Sequence, residues 1–140
     1  MIITLFFLDF DSIALRVFGG LWVLLTIPVV FLHLEYYLRN RNMYFEIGEN
    51  HILVKEGLKN EVDYRFEDLS KVILYKSASI DKGGIPFTPI EFYHYARVIP
   101  KNGGEIIITC LMTPDVEAAV SKLKWVSYER KKIFFASISQ

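Results

Sequence analysis

Residues 17–34 read VFGGLWVLLTIPVVFLHL, eighteen consecutive positions without Asp, Glu, Lys or Arg. An α-helix of that length rises about 27 Å, close to the roughly 30 Å hydrocarbon core of a bilayer. Burying such a helix inside a soluble protein requires a wrapping on every side, and the rest of a 140-residue chain is too small to supply it. The stretch therefore predicts a membrane-spanning helix over about residues 13–38, within an anchor of residues 1–42. Residues 43–140 then have the size of one soluble domain. They carry 13 cationic and 13 anionic side chains. A general nucleic-acid binder shows a basic face or stripe, so no nucleic-acid partner is expected.

The flanks of the run give its orientation. Arg39 and Arg41 follow it, while Asp9 and Asp11 precede it with Arg16 nearer the membrane, so positive-inside counting puts the C-terminal domain in the cytoplasm, at the cytoplasmic (inner) membrane. Trp22, Tyr36 and Tyr37 suit interfacial anchoring. His33 and Glu35 lie at the end of the run, where their polar groups reach headgroups. Residues 1–8 (MIITLFFL) are too short to span as a helix of their own. They lie in the interface, pack on the span, or are the remainder of a shorter first helix. The start, residues 1–8, carries no Lys or Arg and no small-x-small pattern follows Leu34, so a retained anchor is expected rather than a cleaved leader.

From Met43 the hydrophobic period changes. MYFEI and HILVKE flank Gly48, Glu49 and Asn50, a hairpin pattern. Val62, Tyr64 and Phe66 alternate with Asp63, Arg65 and Glu67, as on a strand with one buried face, and residues 69–75 (LSKVILY) read as the next strand. Residues 77–91 hold Gly83, Gly84, Pro86 and Pro89, a density of breakers that predicts a long loop without a regular element. Ile85, Phe87 and Ile90 make this loop apolar, so that it either folds back over the domain or docks on a partner or the bilayer. FYHYARVI and EIIITCL flank Asn102 and Gly103, a strong hairpin signal, because tight turns demand a positive φ that both residues accept. Thr113 as N-cap with Pro114 at the first position predicts an amphipathic helix from about residue 114 to Trp125 or beyond, with Val116, Ala119, Val120 and Leu123 on its packed stripe. The IFFASI segment after Lys132 reads as a strand, a helix continuation or a second membrane contact.

This order of elements resembles a pleckstrin-homology (PH)-like fold, and with its N-terminal span the chain resembles the bacterial membrane-anchored PH-like proteins. The segments that carry the resemblance are MYFEIGENHILVKEG, VDYRFEDLSKVILY, YARVIPKNGGEIIIT and TPDVEAAVSKLKWV. The fold class expected is a membrane-anchored α+β chain: one transmembrane helix, then, over residues 43–140, a small antiparallel β-barrel or sandwich closed by a C-terminal helix. Bacterial relatives commonly carry two spans before the domain, where this chain has one. Phosphoinositide-binding PH domains place cations at the first hairpin loop, whereas this loop reads Gly48, Glu49, Asn50, His51, a poor phosphate site. The resemblance therefore implies a scaffold for protein contacts beside a membrane.

No enzyme chemistry is visible. The carboxylates alternate with apolar residues along strands, the serines have no triad context, and three scattered histidines with the single Cys110 give no zinc spacing and no cofactor motif. Cys110 reads as a packed side chain within a strand. The expected function is that of a non-catalytic interaction module or accessory subunit with a protein partner or a second copy. Ile85, Phe87 and Ile90 in the loop and Gly19 and Gly20 on the span are the candidate contacts. The alternative is an anionic-lipid sensor using Lys122, Lys124, Arg130, Lys131 and Lys132, a cluster that reads equally as a solvated helix end.

Overall fold

The computed structural model describes the chain apart from residues 1, 49, 50, 58, 59, 124, 125 and 140, and describes residues 2–11 by their backbone. A single helix, α1, runs over Ile2–Asn40. The apolar start is thus the first part of the same helix and not a separate element. No Gly or Pro stands before Gly19, so nothing in residues 2–18 breaks the backbone ladder. Two sheets follow. Strands β1 (Met43–Ile47), β2 (His51–Glu56) and β3 (Asn60–Arg65) form an antiparallel sheet in chain order. Strands β4 (Leu69–Lys76), β5 (Tyr95–Pro100), β6 (Ile106–Thr109) and β7 (Ser127–Lys132) form the second, in the order β6-β5-β4-β7.

Of the expected antiparallel barrel or sandwich closed by a terminal helix, the two sheets packed on each other stand, while the closed barrel, the purely antiparallel pairing and the terminal place of the helix are corrected. The sheets do not close into a barrel, and the amphipathic helix α3 (Val116–Ser121) is followed by β7, which pairs with β4 in parallel. β6 already runs in the direction of β4, because two antiparallel pairings separate them. A helix crossing from the β6 edge to the opposite edge therefore delivers the chain in that same direction. α3 is also shorter than its periodicity implies. Its cap is Asp115, whose carboxylate accepts the Ala118 N–H at 2.8 Å, instead of Thr113. Asp caps at least as well as Thr, and the helix starts where the better-placed acceptor lies. The stripe residues Val116, Val120 and Leu123 do enter the core.

The tight hairpin exists with a longer loop. β5 and β6 pair from Tyr95↔Thr109 to Val98↔Ile106, and the positive φ falls on Gly103 (89°) and Gly104 (82°), not on Asn102. Cys110 lies just beyond β6, half-buried, donating its N–H to the His94 carbonyl at 3.0 Å. The breaker-rich segment contains two short turns, α2 (Ala78–Asp81) and a 3-10 turn at Pro89–Phe92. Ser77 caps the first through its hydroxyl, and Pro89 begins the second, the position where Pro costs no hydrogen bond.

The four-stranded sheet is covered on both faces. One face, with Val72, Leu74, Ala96, Val98, Ile106 and Ile108, packs on Ile52 and Val54 of the first sheet and on Val116 and Val120 of α3. The other face, with Tyr95 and Ile107, packs on Leu32 and Tyr36 of α1, on Ile90 and on Ala136 of the C-terminal tail. This is why β6 reads as three isoleucines in a row followed by Thr109, with all four residues buried.

Candidate functional site

α1 changes character along its length. The stretch over Ser12–Asn40 is long and apolar enough to cross a membrane by length and composition, and 6% of its most apolar window is buried. Ile13, Leu15, Phe18, Leu21, Trp22, Leu24 and Ile27 are exposed, and at Gly19 and Gly20 an added Cβ would meet nothing within 4 Å. From Val29 onward one face enters the second core, and Leu32 and Tyr36, one turn apart, are fully buried.

The buried end is also bonded. Tyr36 donates its hydroxyl to the Ala136 carbonyl at 2.8 Å, and Glu35 accepts the Ser137 hydroxyl and the Ser139 N–H, both at 3.0 Å. His33 Nδ1 lies 3.1 Å from the Tyr93 hydroxyl, and the Asn40 amide donates to the Thr109 hydroxyl. His33 and Glu35, expected to face headgroups, thus spend polar atoms on the domain. Tyr95 stacks on Tyr75 at 4.6 Å, and Arg97 lies over both rings while donating to the Ile138 carbonyl at 2.6 Å. The tail after β7 is therefore neither a strand nor a helix continuation; it straps the helix end to the sheet.

The apolar loop divides. Ile85 and Phe87 are almost fully exposed, whereas Ile90 is buried against Leu32 and Tyr36 and offers nothing to a partner. The 3-10 turn at Pro89–Phe92 abuts α1 and turns Ile90 inward. Glu91 organises the loop: the Ser79 hydroxyl above all, then the Phe87 N–H and Thr88, hold its carboxyl below the usual carboxylate range. The Thr88 hydroxyl donates to it at 3.3 Å.

The basic cluster is distributed among acids. Arg130 meets Glu117 and, at 3.8 Å, Asp81; Lys132 meets Asp81 at 3.1 Å; and Lys131 lies 3.9 Å from Glu129. Lys76 joins Glu117 at 2.7 Å, so the network ties β4, α2, α3 and β7 together. Lys122 is exposed at the end of α3, and Lys124 lies outside the described residues. Burial pushes the Cys110 thiol up, away from a nucleophile's range.

A cleft of about 680 Å³ opens among His51, Asp63, Arg65, Phe66, Glu67, Leu69 and Lys101. β5 starts at Tyr95, against Tyr36, and ends at Pro100, so Lys101 and the cleft it lines lie at the other end of that strand from Tyr36. Among the described residues, no ion pair engages Arg65 or Lys101. The 3-10 turn Phe66–Asp68 frames the cleft: Asp68 takes the Arg65 N–H at 3.1 Å and, through its carbonyl, the Lys101 N–H at 2.7 Å. Sequence reasoning missed this group because its members come from three separate segments, each reading as an ordinary solvated strand end.

No curated protein matches the chain. A family model described as PH domain matches residues 1–120, spanning α1, both sheets through β6 and most of α3, while β7 and the tail lie beyond the match. Two packed sheets with a helix crossing one of them, matched over most of the chain, lead to one conclusion: this chain belongs to the PH-domain family.

Proposed function

We propose that the chain is a membrane-anchored, non-catalytic binding module, in which α1 crosses the inner membrane and holds the PH domain at its cytoplasmic face to engage a second protein. The observation that carries this reading is the division of α1: its apolar first part is exposed while its last turns are built into the domain core. A helix so attached transmits position as well as tethering. PH domains are generally binding modules rather than enzymes. Arg39 and Arg41 beyond the span support the cytoplasmic placement. The distal cleft around Arg65 and Lys101 is the surface this placement presents to a partner.

The test uses the full-length chain expressed with a tag. It should stay with membranes through alkaline carbonate washing and, in mild detergent, run as a stoichiometric complex or oligomer by light scattering. Release by carbonate would remove the anchor. A monomer at every concentration without a stoichiometric partner would remove the interaction role.

A further inference from the structure

The contacts between α1 and the segments that grip it set a level along the helix. Phe135 stacks on Phe31 at 6.2 Å, while the next residues meet positions further on: Ala136 meets Tyr36, and Ser137 meets Glu35. Likewise Tyr93 meets both His33 and Tyr36, and Tyr95 meets Tyr36. Both segments thus run away from the exposed apolar part of α1. The residues immediately before them, Phe92 and Phe134, lie on its side, 59% and 72% exposed. Phe31 and His33 are about 200° apart around the helix, so the two segments flank it.

Phe87, 94% exposed, and Ile85 belong to the loop that Glu91 ties to the same 3-10 turn. Residues 83–93 and 133–139 carry one charged side chain between them, Glu91, and it is turned inward. Scattered exposed apolar residues need no explanation, but an apolar group without charge, continuous with an apolar helix, marks a contact surface. That continuity selects a lipid surface as the occupant.

We propose that Phe87, Phe92 and Phe134, with Ile85, form a collar around the base of α1 that sinks into the interfacial layer of the leaflet the helix leaves. The inference rests on the reading of α1 as a span. It places the membrane boundary near Phe31, not at Leu38, and assigns Ile85 and Phe87 to lipid, leaving the distal cleft for a protein partner. A stretch over residues 12–31 then crosses the bilayer, twenty residues or about 30 Å.

The experiment takes the full-length chain with Cys110→Ser as background, reconstituted in phosphatidylcholine–phosphatidylglycerol vesicles. Single nitroxide labels at Val23→Cys, Phe87→Cys, Phe134→Cys and Lys101→Cys are compared for collision with oxygen and with a water-soluble nickel chelate. The collar requires strong oxygen preference at position 23, intermediate oxygen preference at both 87 and 134, and nickel preference at 101. A lipid signal at 23 with either 87 or 134 as nickel-accessible as 101 overturns the collar and leaves the span standing. A nickel-accessible position 23 overturns the span and the collar with it. Labels at 87 and 134 shielded from both reagents, with spin–spin broadening lost on dilution by unlabelled protein, assign the surface to a second copy and also overturn the proposal.

Discussion

The two parts of α1 are made from similar residues and do different things. Leu24 and Leu32 belong to the same apolar run, yet the first is exposed and the second is fully buried between the sheet, the 3-10 turn and the tail. Hydrophobicity alone does not separate them. What separates them is whether other segments of the chain return to that level of the helix, and the strap of residues 133–139 together with the Pro89–Phe92 turn returns only from Val29 onward.

The sharpest way to break this comparison is to truncate the same side chain in each part. Leu32→Ala should destabilise the domain by about 2–5 kcal/mol, the range for a large apolar side chain removed from a core that relaxes incompletely. Leu24→Ala should stay within about 0.5 kcal/mol in detergent micelles, as for a surface substitution. Chemical unfolding followed by aromatic fluorescence reads both; equal losses would mean that the exposed part is also packed. Gly103→Ala tests whether the hairpin that presents Ile107 to the helix depends on its turn. At φ 89° an added Cβ is strained, and a loss of about 1–2 kcal/mol is expected in the same assay.

Tyr36→Phe sharpens the comparison further, because it keeps the ring and deletes only the bond to the Ala136 carbonyl. A loss of about 1 kcal/mol is expected, with earlier amide exchange in residues 133–139. The smallest effect is local and depends on pH. Glu91 is held below the usual carboxylate range in the folded chain, so its contribution is present above the unfolded value of about 4.3 and is lost as pH falls through the lower folded value. Acidification should therefore loosen residues 79–91 before the sheets, seen as amide exchange at Phe87, and Glu91→Gln should remove that pH dependence. Unchanged exchange at Phe87 across this range would mean that the loop is held by Ile90 alone.

Much of the architecture was legible in local pattern. The change from an unbroken apolar run to period-two alternation marked where the long helix gives way to strands, and the β1–β2 and β5–β6 hairpins follow from their turn residues. The packed stripe of α3 follows from its spacing. The site was legible in part. Ile85 and Phe87 stand out as apolar residues in a breaker-rich loop and are exposed, whereas Ile90 reads the same way and is buried. Its burial depends on Leu32 and Tyr36, more than fifty residues away, and no local signal carries that. The cations at Arg130 and Lys132 look free in sequence because Asp81 and Glu117 reach them only through the fold.

The amino-acid order by itself determined the element types, since hydrophobic period, caps and turn residues act within a few positions along the chain. It therefore set a long apolar helix, antiparallel hairpins and an amphipathic helix, but neither the early end of that helix nor the strand after it. Only the tertiary structure decided that β7 joins β4 in parallel, that the sheets stay open, that the tail straps the helix end, and that Arg65 and Lys101 share a cleft. Each of these depends on which distant surfaces exclude water together, and that is settled by the packing of the whole chain.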